Sequence, residues 1–221
     1  MPASDPDEPS EEALVTVDNL SRNFIDMLDT LRFDLARDES QREAVYRLRY
    51  QTIIERGWAR PEDMPDGMER DHYDEMAIHI VGWDGDKLAT TSRIVLPEAG
   101  LALPTEAAFH VQIEPRGKVA DMGRQIVARE YSSFKNKVFA ALLAKTWLEI
   151  RAHGYSLVCG DFTPAMLRLY RIMGFDVKQL GPAQPFWGED RFPILVDVAR
   201  SMMALMERWG NKNSANDSSQ P

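Results

Sequence analysis

The chain has 221 residues, a formal net charge of −9 and one cysteine, Cys159. That length suits one domain with tails. A single thiol excludes an internal disulfide framework and a cysteine-rich zinc site. No window reaches the roughly 18 apolar residues that a membrane-spanning helix needs. The amino terminus, MPASDPDEPSEEA, is acidic and has no apolar core, so it is not a secretory signal, and a cytoplasmic location is expected. The charge is uneven: residues 1–40 carry −8, 41–115 carry −6, 116–171 carry +6 and 172–221 carry −1. The chain as a whole lacks the basic footprint of a nucleic-acid binder, but the +6 segment can attract an acidic partner.

In chain order, residues 1–30 read as an acidic extension. Its first dozen residues are too polar to fold, and residues 11–29 have helical apolar spacing. LRFDLA (31–36) alternates as a half-buried strand, and ESQREAVYRLRYQTII (39–54) has helical periodicity. Residues 57–70 form a loop rich in Pro and Gly. MAIHIVGW (76–83) and KLATTSRIVL (87–96) flank a DGD turn as a hairpin. An irregular stretch follows, then a strand at 118–127, a long helix at about 133–153 and a buried strand at 155–161. Thr163 and Pro164 start a helix that Gly174 ends. A strand at 192–198 leads to a helix reaching about Trp209, and residues 210–221 read as a frayed tail. A single domain over residues 31–209 is thus expected. A meander followed by a βαβ crossover predicts an α/β protein, with a mixed sheet between helices.

Two stretches carry a family likeness. LRLYRIMGF (167–175) resembles the second acyl-CoA-binding motif of the GNAT acyltransferases. GMERDHYDE (67–75) follows Trp58, precedes the hairpin bearing Arg93, and is followed at a distance by DMGR (121–124). That series resembles the LuxI-type acyl-homoserine lactone synthases, which share the GNAT-like fold. The related N-acyl amino acid synthases are similar through VYRLRY (45–50) and LYRIMGF (169–175). The resemblance implies a GNAT-like α-β-α sandwich around a mixed, mostly antiparallel sheet. It also implies transfer of an acyl group from an acyl carrier protein or CoA thioester to the amine of S-adenosylmethionine, with lactonisation and release of methylthioadenosine. The product would be a quorum-sensing signal, and no cofactor or metal beyond the substrates is implied. Asp121 stands where the lactone synthases usually have Glu. Acylation of an amino acid without lactonisation, and a non-catalytic thioester-binding module, are the alternatives.

The chemistry assigns candidates. Asp71 and Asp74, three apart, can point the same way and hold a cationic acceptor, with Arg93 and Arg124 drawn into an ion-pair cluster that Arg49 joins. Arg124 and Asp121 lie on opposite faces of an ideal strand, and a bulge would bring them together. Asp121 is the expected acceptor of the amine proton, directly or through water. Tyr170 is the candidate donor to the departing thiolate, and Trp58 the candidate cover of the acceptor. The helix start VAREYSSFKNKVF has no glycine between Gly123 and Gly154, so the usual glycine cradle for the CoA pyrophosphate is not expected. An acidic carrier protein, carrying the same arm with one phosphate, suits Arg129, Lys135, Lys137, Lys145, Arg151, Arg168 and Arg171. The four histidines lack metal-ligand spacing, and Cys159 reads as a buried strand residue.

Overall fold

The computed structural model describes residues 10–204; for 132–136 it describes the backbone only. The expected disorder of the first dozen residues lies almost wholly outside this range, as do the end of the final helix and the frayed tail. A first helix, α1 (Glu11–Asp26), is capped by Ser10. It leads to β1 (Arg32–Leu35), then α2 (Glu39–Glu55), then the hairpin β2 (Ile78–Asp84) and β3 (Lys87–Val95). The stretch expected to be irregular contains a helix, α3 (Pro104–Phe109), started by Pro104 and by Glu106, which accepts from the Leu103 N–H at 3.0 Å. Its single turn is too short to show a period, so only its cap marks it in the sequence. There follow β4 (Val119–Val127), α4 (Lys135–Ala152), β5 (Leu157–Phe162) and α5 (Pro164–Met173). Thr163 caps α5 and Gly174 closes it in the left-handed region. Two short strands not expected from sequence, β6 (Val177–Gln179) and β7 (Gln184–Phe186), precede β8 (Glu189–Asp197). Three residues each are too few to alternate visibly.

The sheet order is β1-β2-β3-β4-β5-β8-β6, with β7 paired to β8. Every pair is antiparallel except β4–β5. On one face, Ile80, Ile94, Ala120, Val158 and Ile194 pack with Leu142 of α4 and Leu167 and Tyr170 of α5. The other face carries α2 through Val45 and Tyr46 against Val81, and α3 beside Val95, Val119 and Cys159. The extension α1 lies on α4: Val17 packs on Trp147, and the Trp147 indole donates to Asp18 at 2.8 Å.

What positions the site is the fork in the sheet. The parallel strands β4 and β5 pair only over Val119–Asp121 and Leu157–Cys159. Beyond that point β4 stays with β3 and β5 stays with β8, so the strands diverge. At the apex is Gly160, where a Cβ would come within 2.7 Å of the Met122 carbonyl oxygen. Glycine is needed there for close backbone approach. Gly160→Ala must push the two halves of the sheet apart, and we expect a loss of about 1–3 kcal/mol as a lowered melting temperature, with acyl transfer falling alongside.

Candidate active site

The fork opens into a cleft of about 430 Å³. Met122 to Val127 of β4 line one wall and Cys159 to Thr163 the other. Phe139 of α4 and Met166 and Tyr170 of α5 line it from one face of the sheet. Trp58, Glu69, Trp187 and Arg191 line it from the other, so the cleft passes through the sheet.

Beside that second opening is a closed ring of three arginines and three carboxylates. Arg49 on α2 pairs with Glu69, and with Asp74 at 2.7 and 3.1 Å. Arg93 on β3 bonds Asp71 at 2.7 Å and Asp74 at 3.2 Å. Arg124 on β4 bonds Glu69 at 3.0 Å and Asp71 at 3.3 Å. Six side chains thus alternate in sign around one circuit. Arg49 and Arg93 are 0% and 2% exposed, which is tolerable only because each charge is paired. Burial alone would raise the Asp74 carboxyl, but the Arg49 fork and the Arg93 charge overcome it and hold it at about 2. Burial lowers Arg124, and only Glu69 and Asp71 oppose it. Burial likewise lowers His79, whose ring nitrogen Nε2 lies 3.3 Å from the Asp74 carbonyl oxygen.

Local sequence explains the geometry. Asp71 and Asp74 are three apart because they close a single helical turn (His72–Glu75): the Asp71 N–H donates to Asp74 Oδ2 at 2.7 Å, and the Tyr73 N–H to Asp71 Oδ1 at 2.9 Å. A β-bulge places Arg124 at φ 53° between the pairs Arg93–Gly123 and Thr91–Ile126. The extra residue swings Arg124 toward the acids.

The structure thus gathers Arg49, Asp71, Asp74, Arg93 and Arg124, and sets Trp58 and Tyr170 in the cleft wall. Asp121 it sends elsewhere. The bulge is present, but Asp121 does not meet Arg124. Its Oδ2 accepts from the Thr105 N–H at 2.8 Å and the Cys159 thiol at 3.4 Å. Burial raises its pKa, and it caps α3 rather than lining the cleft. The expectation that it takes the amine proton is corrected accordingly. Arginines and backbone N–H groups contact all four oxygens of Asp71 and Asp74.

Of the basic residues expected to dock a carrier, Arg129, Lys137, Arg168 and Arg171 are exposed. Arg151 is instead bound to α1, pairing with Glu11 and 3.8 Å from Asp18, and Lys145 lies 3.5 Å from Glu149. The extension therefore covers that end of α4. The Lys135 side chain is outside what is described.

Several cleft residues escaped the sequence reading. Glu69 stood in the acidic series but had no assigned role. Trp187 and Gly188 form the tip of the β7–β8 hairpin, with φ of 49° and 69°. The Trp187 ring centroid is 5.0 Å from the Arg124 guanidinium carbon. Trp58 meets Arg56 at 4.6 Å and Arg191 at 5.1 Å. The FWGED run was the available signal, since a glycine between an aromatic and acids marks a turn. Cys159 is buried at 0% exposure, and burial raises its thiol well above the usual range.

A forked mixed sheet with the thioester-sized cleft at the fork, and helices on both faces, defines a GNAT-like acyltransferase. The chain belongs to the family of the N-acyl amino acid synthase FeeM, whose model matches residues 44–188, well over half of it. The structure is similar to the acyl-homoserine lactone synthase LasI, with TM-score 0.59 and 18% identity over 76% of this chain and 90% of that one. It is similar to FeeM from uncultured soil microbes, with TM-score 0.57 and 18% identity over 77% and 92%. It also resembles the CoA-dependent acyl-homoserine lactone synthase BjaI, solved with S-adenosylmethionine and isopentyl-CoA, with TM-score 0.57 and 24% identity over 76% and 81%. No curated protein sequence matches the chain. Among the described residues no helix is long and apolar enough to cross a membrane.

The ring makes stability sensitive to acid. Asp74 titrates at about 2 in the fold against an ordinary 3.8. Its contribution is fully present above about pH 4 and is lost as the pH falls toward 2. We expect about 2 kcal/mol from this group to disappear over that interval. Asp74→Asn should start less stable and show a shallower decline in melting temperature between pH 4 and 2.

Proposed function

We propose that the enzyme transfers an acyl chain from a phosphopantetheine thioester to the α-amine of an amino acid, releasing free thiol and an N-acyl amino acid. The observation that carries this reading is the cleft wall. Each carboxylate lining it, Glu69, Asp161 or Glu189, is bonded to an arginine. The side-chain nitrogens Gln125 Nε2, Trp187 Nε1 and Arg191 Nε, on residues that also line the cleft, have no hydrogen-bond partner among the described residues. A lining short of acceptors and rich in donors suits a carboxylate-bearing substrate better than an added cation. The family match agrees with it.

The thioester enters the fork, with its acyl chain against Met122, Phe139 and Met166. The amine approaches from the face that carries the ring. It must be neutral to attack, and with every cleft carboxylate tied to an arginine its proton leaves to solvent through the open cleft. Attack forms the C–N bond and a tetrahedral oxyanion, stabilised by backbone N–H groups beside the Gly123–Gln125 bulge. Collapse breaks the C–S bond. Burial pushes Tyr170 up to about 12, so its hydroxyl is protonated at neutral pH and can donate to the departing thiolate. A thioester is already activated, so this sequence needs no further cofactor.

For the donor, a carrier protein is favoured over free CoA. No glycine lies between Gly123 and Gly154 to shape a pyrophosphate cradle. Arg168 and Arg171 are exposed on the same helix as Met166, Leu169 and Tyr170, which line the cleft, and are placed to meet an acidic surface.

A second reading, acyl-homoserine lactone synthesis from S-adenosylmethionine, is supported by the assembly of Arg49, Asp71, Asp74, Arg93 and Arg124 in one cluster. One assay separates the two. Carrier-bound acyl thioesters are offered with free amino acids or with S-adenosylmethionine, and thiol and methylthioadenosine are measured. Thiol release dependent on an amino acid, with no methylthioadenosine, is expected; release of both from S-adenosylmethionine overturns the first reading for the second. Tyr170→Phe should lower kcat by roughly 100- to 10,000-fold with little change in the acceptor KM.

A further inference from the structure

The tip of the β7–β8 hairpin is unusual in its residue choice. Phe186 pairs with Glu189 across a two-residue turn formed by Trp187 and Gly188. Both have positive φ, 49° and 69°. Such a tip favours Asn-Gly, and a bulky aromatic residue in the left-handed region is strained. Strain of this kind persists where surrounding contacts fix it, and it concentrates at functional sites. Here the contacts are specific. The Trp187 ring stacks on Arg124, a member of the ion ring, and meets Phe186 edge-on at 6.1 Å. A Cβ at position 188 would stand 2.7 Å from the Trp58 ring, so glycine lets the tip sit directly on that tryptophan. The hairpin is thereby clamped over the opening of the cleft on the ring side.

Its indole nitrogen is spent on nothing. Trp187 Nε1 is buried and has no hydrogen-bond partner among the described residues, and the same holds for Gln125 Nε2. Both residues line the cleft. Gln125 neighbours Arg124 in the bulge. A buried N–H without an acceptor is costly, and native folds keep few of them. Two around one cleft, whose lining carboxylates are each bonded to an arginine, call for oxygen lone pairs brought by a ligand.

We infer that Trp187 and Gln125 form the acceptor-carboxylate subsite, in which the indole and amide N–H groups hold the α-carboxylate beside the Arg124 guanidinium while the α-amine points into the fork. This rests on the amino-acid reading above, and it names what in the chain selects the acceptor. The donor's phosphate is a second source of anionic oxygens. The acceptor is favoured because Trp187 and Trp58 stand on the ring side of the sheet, opposite Phe139, Met166 and Tyr170.

The test is Trp187→Phe, which removes the indole N–H and leaves a smaller aromatic ring to face Arg124. Initial rates are measured with a carrier-bound acyl thioester and two acceptors, an amino acid and its carboxamide. The unsubstituted enzyme should prefer the acid. In the variant the ratio of kcat/KM for acid over amide should fall roughly 10- to 100-fold, the size of one hydrogen bond to a charged group. Gln125→Glu, which opposes a carboxylate with a carboxylate, should lower the same ratio further. An unchanged ratio in both variants overturns the subsite. A raised KM for the thioester with an unchanged acid-to-amide ratio also overturns it, and assigns the donors to the phosphate of the pantetheine arm. If the unsubstituted enzyme acylates no amino acid at all, the functional reading itself fails, and the subsite with it.

Discussion

The architecture depends on the mutual neutralisation of six charges, four of them buried. Arg49, Glu69, Arg124, Asp71, Arg93 and Asp74 come from a helix, a loop, a helical turn and two strands, and they close into a single circuit. Removing water from one such ion costs several kcal/mol, so each member is held in place by its neighbours. Taking out one strips each of its two neighbours of half its pairing, at about 3–5 kcal/mol, which makes the ring cooperative. It also fixes the loop that carries Glu69 and Asp71 against the strand that carries Arg124. The ring side of the cleft is therefore braced even though a loop supplies part of it.

That rigidity separates structural from chemical duty. Asp71 and Asp74 direct their oxygens to arginines and to the turn they cap. Asp121, fully inside, caps α3 and ties it to the base of the fork. Arg124 bridges the two roles: it closes the ring and lends its guanidinium face to Trp187. On the far side of the sheet, Tyr170 sits against Phe162 and Phe175 at 4.6 and 4.9 Å. Apolar surroundings keep its proton in place at neutral pH. The sheet thus sets the apolar surroundings of Tyr170 on one side of the cleft and the ion ring on the other.

The amino-terminal extension has its own logic. α1 brings Glu11 and Asp18 to Arg151 and buries Val17 against Trp147. The most acidic part of the chain so offsets the end of the basic segment. The bases left exposed include Arg168 and Arg171, on the helix that also lines the cleft through Met166, Leu169 and Tyr170.

Much of this was legible in the amino-acid order. Helical and strand periods marked the long elements, and Thr163, Pro164 and Gly174 bounded α5, because caps and apolar spacing act within a few residues. The Asp71–Asp74 spacing and the bulge near Arg124 were likewise local signals. The short α3, β6 and β7 left no period to read. Whether Asp121 turned to the cleft or to α3, whether Arg151 stayed free, and which aromatic tip would cover the opening were settled by segments far apart in the chain. A side chain's partner across the fold depends on packing and burial, and those exist only once the sheet has forked and the helices have closed on it.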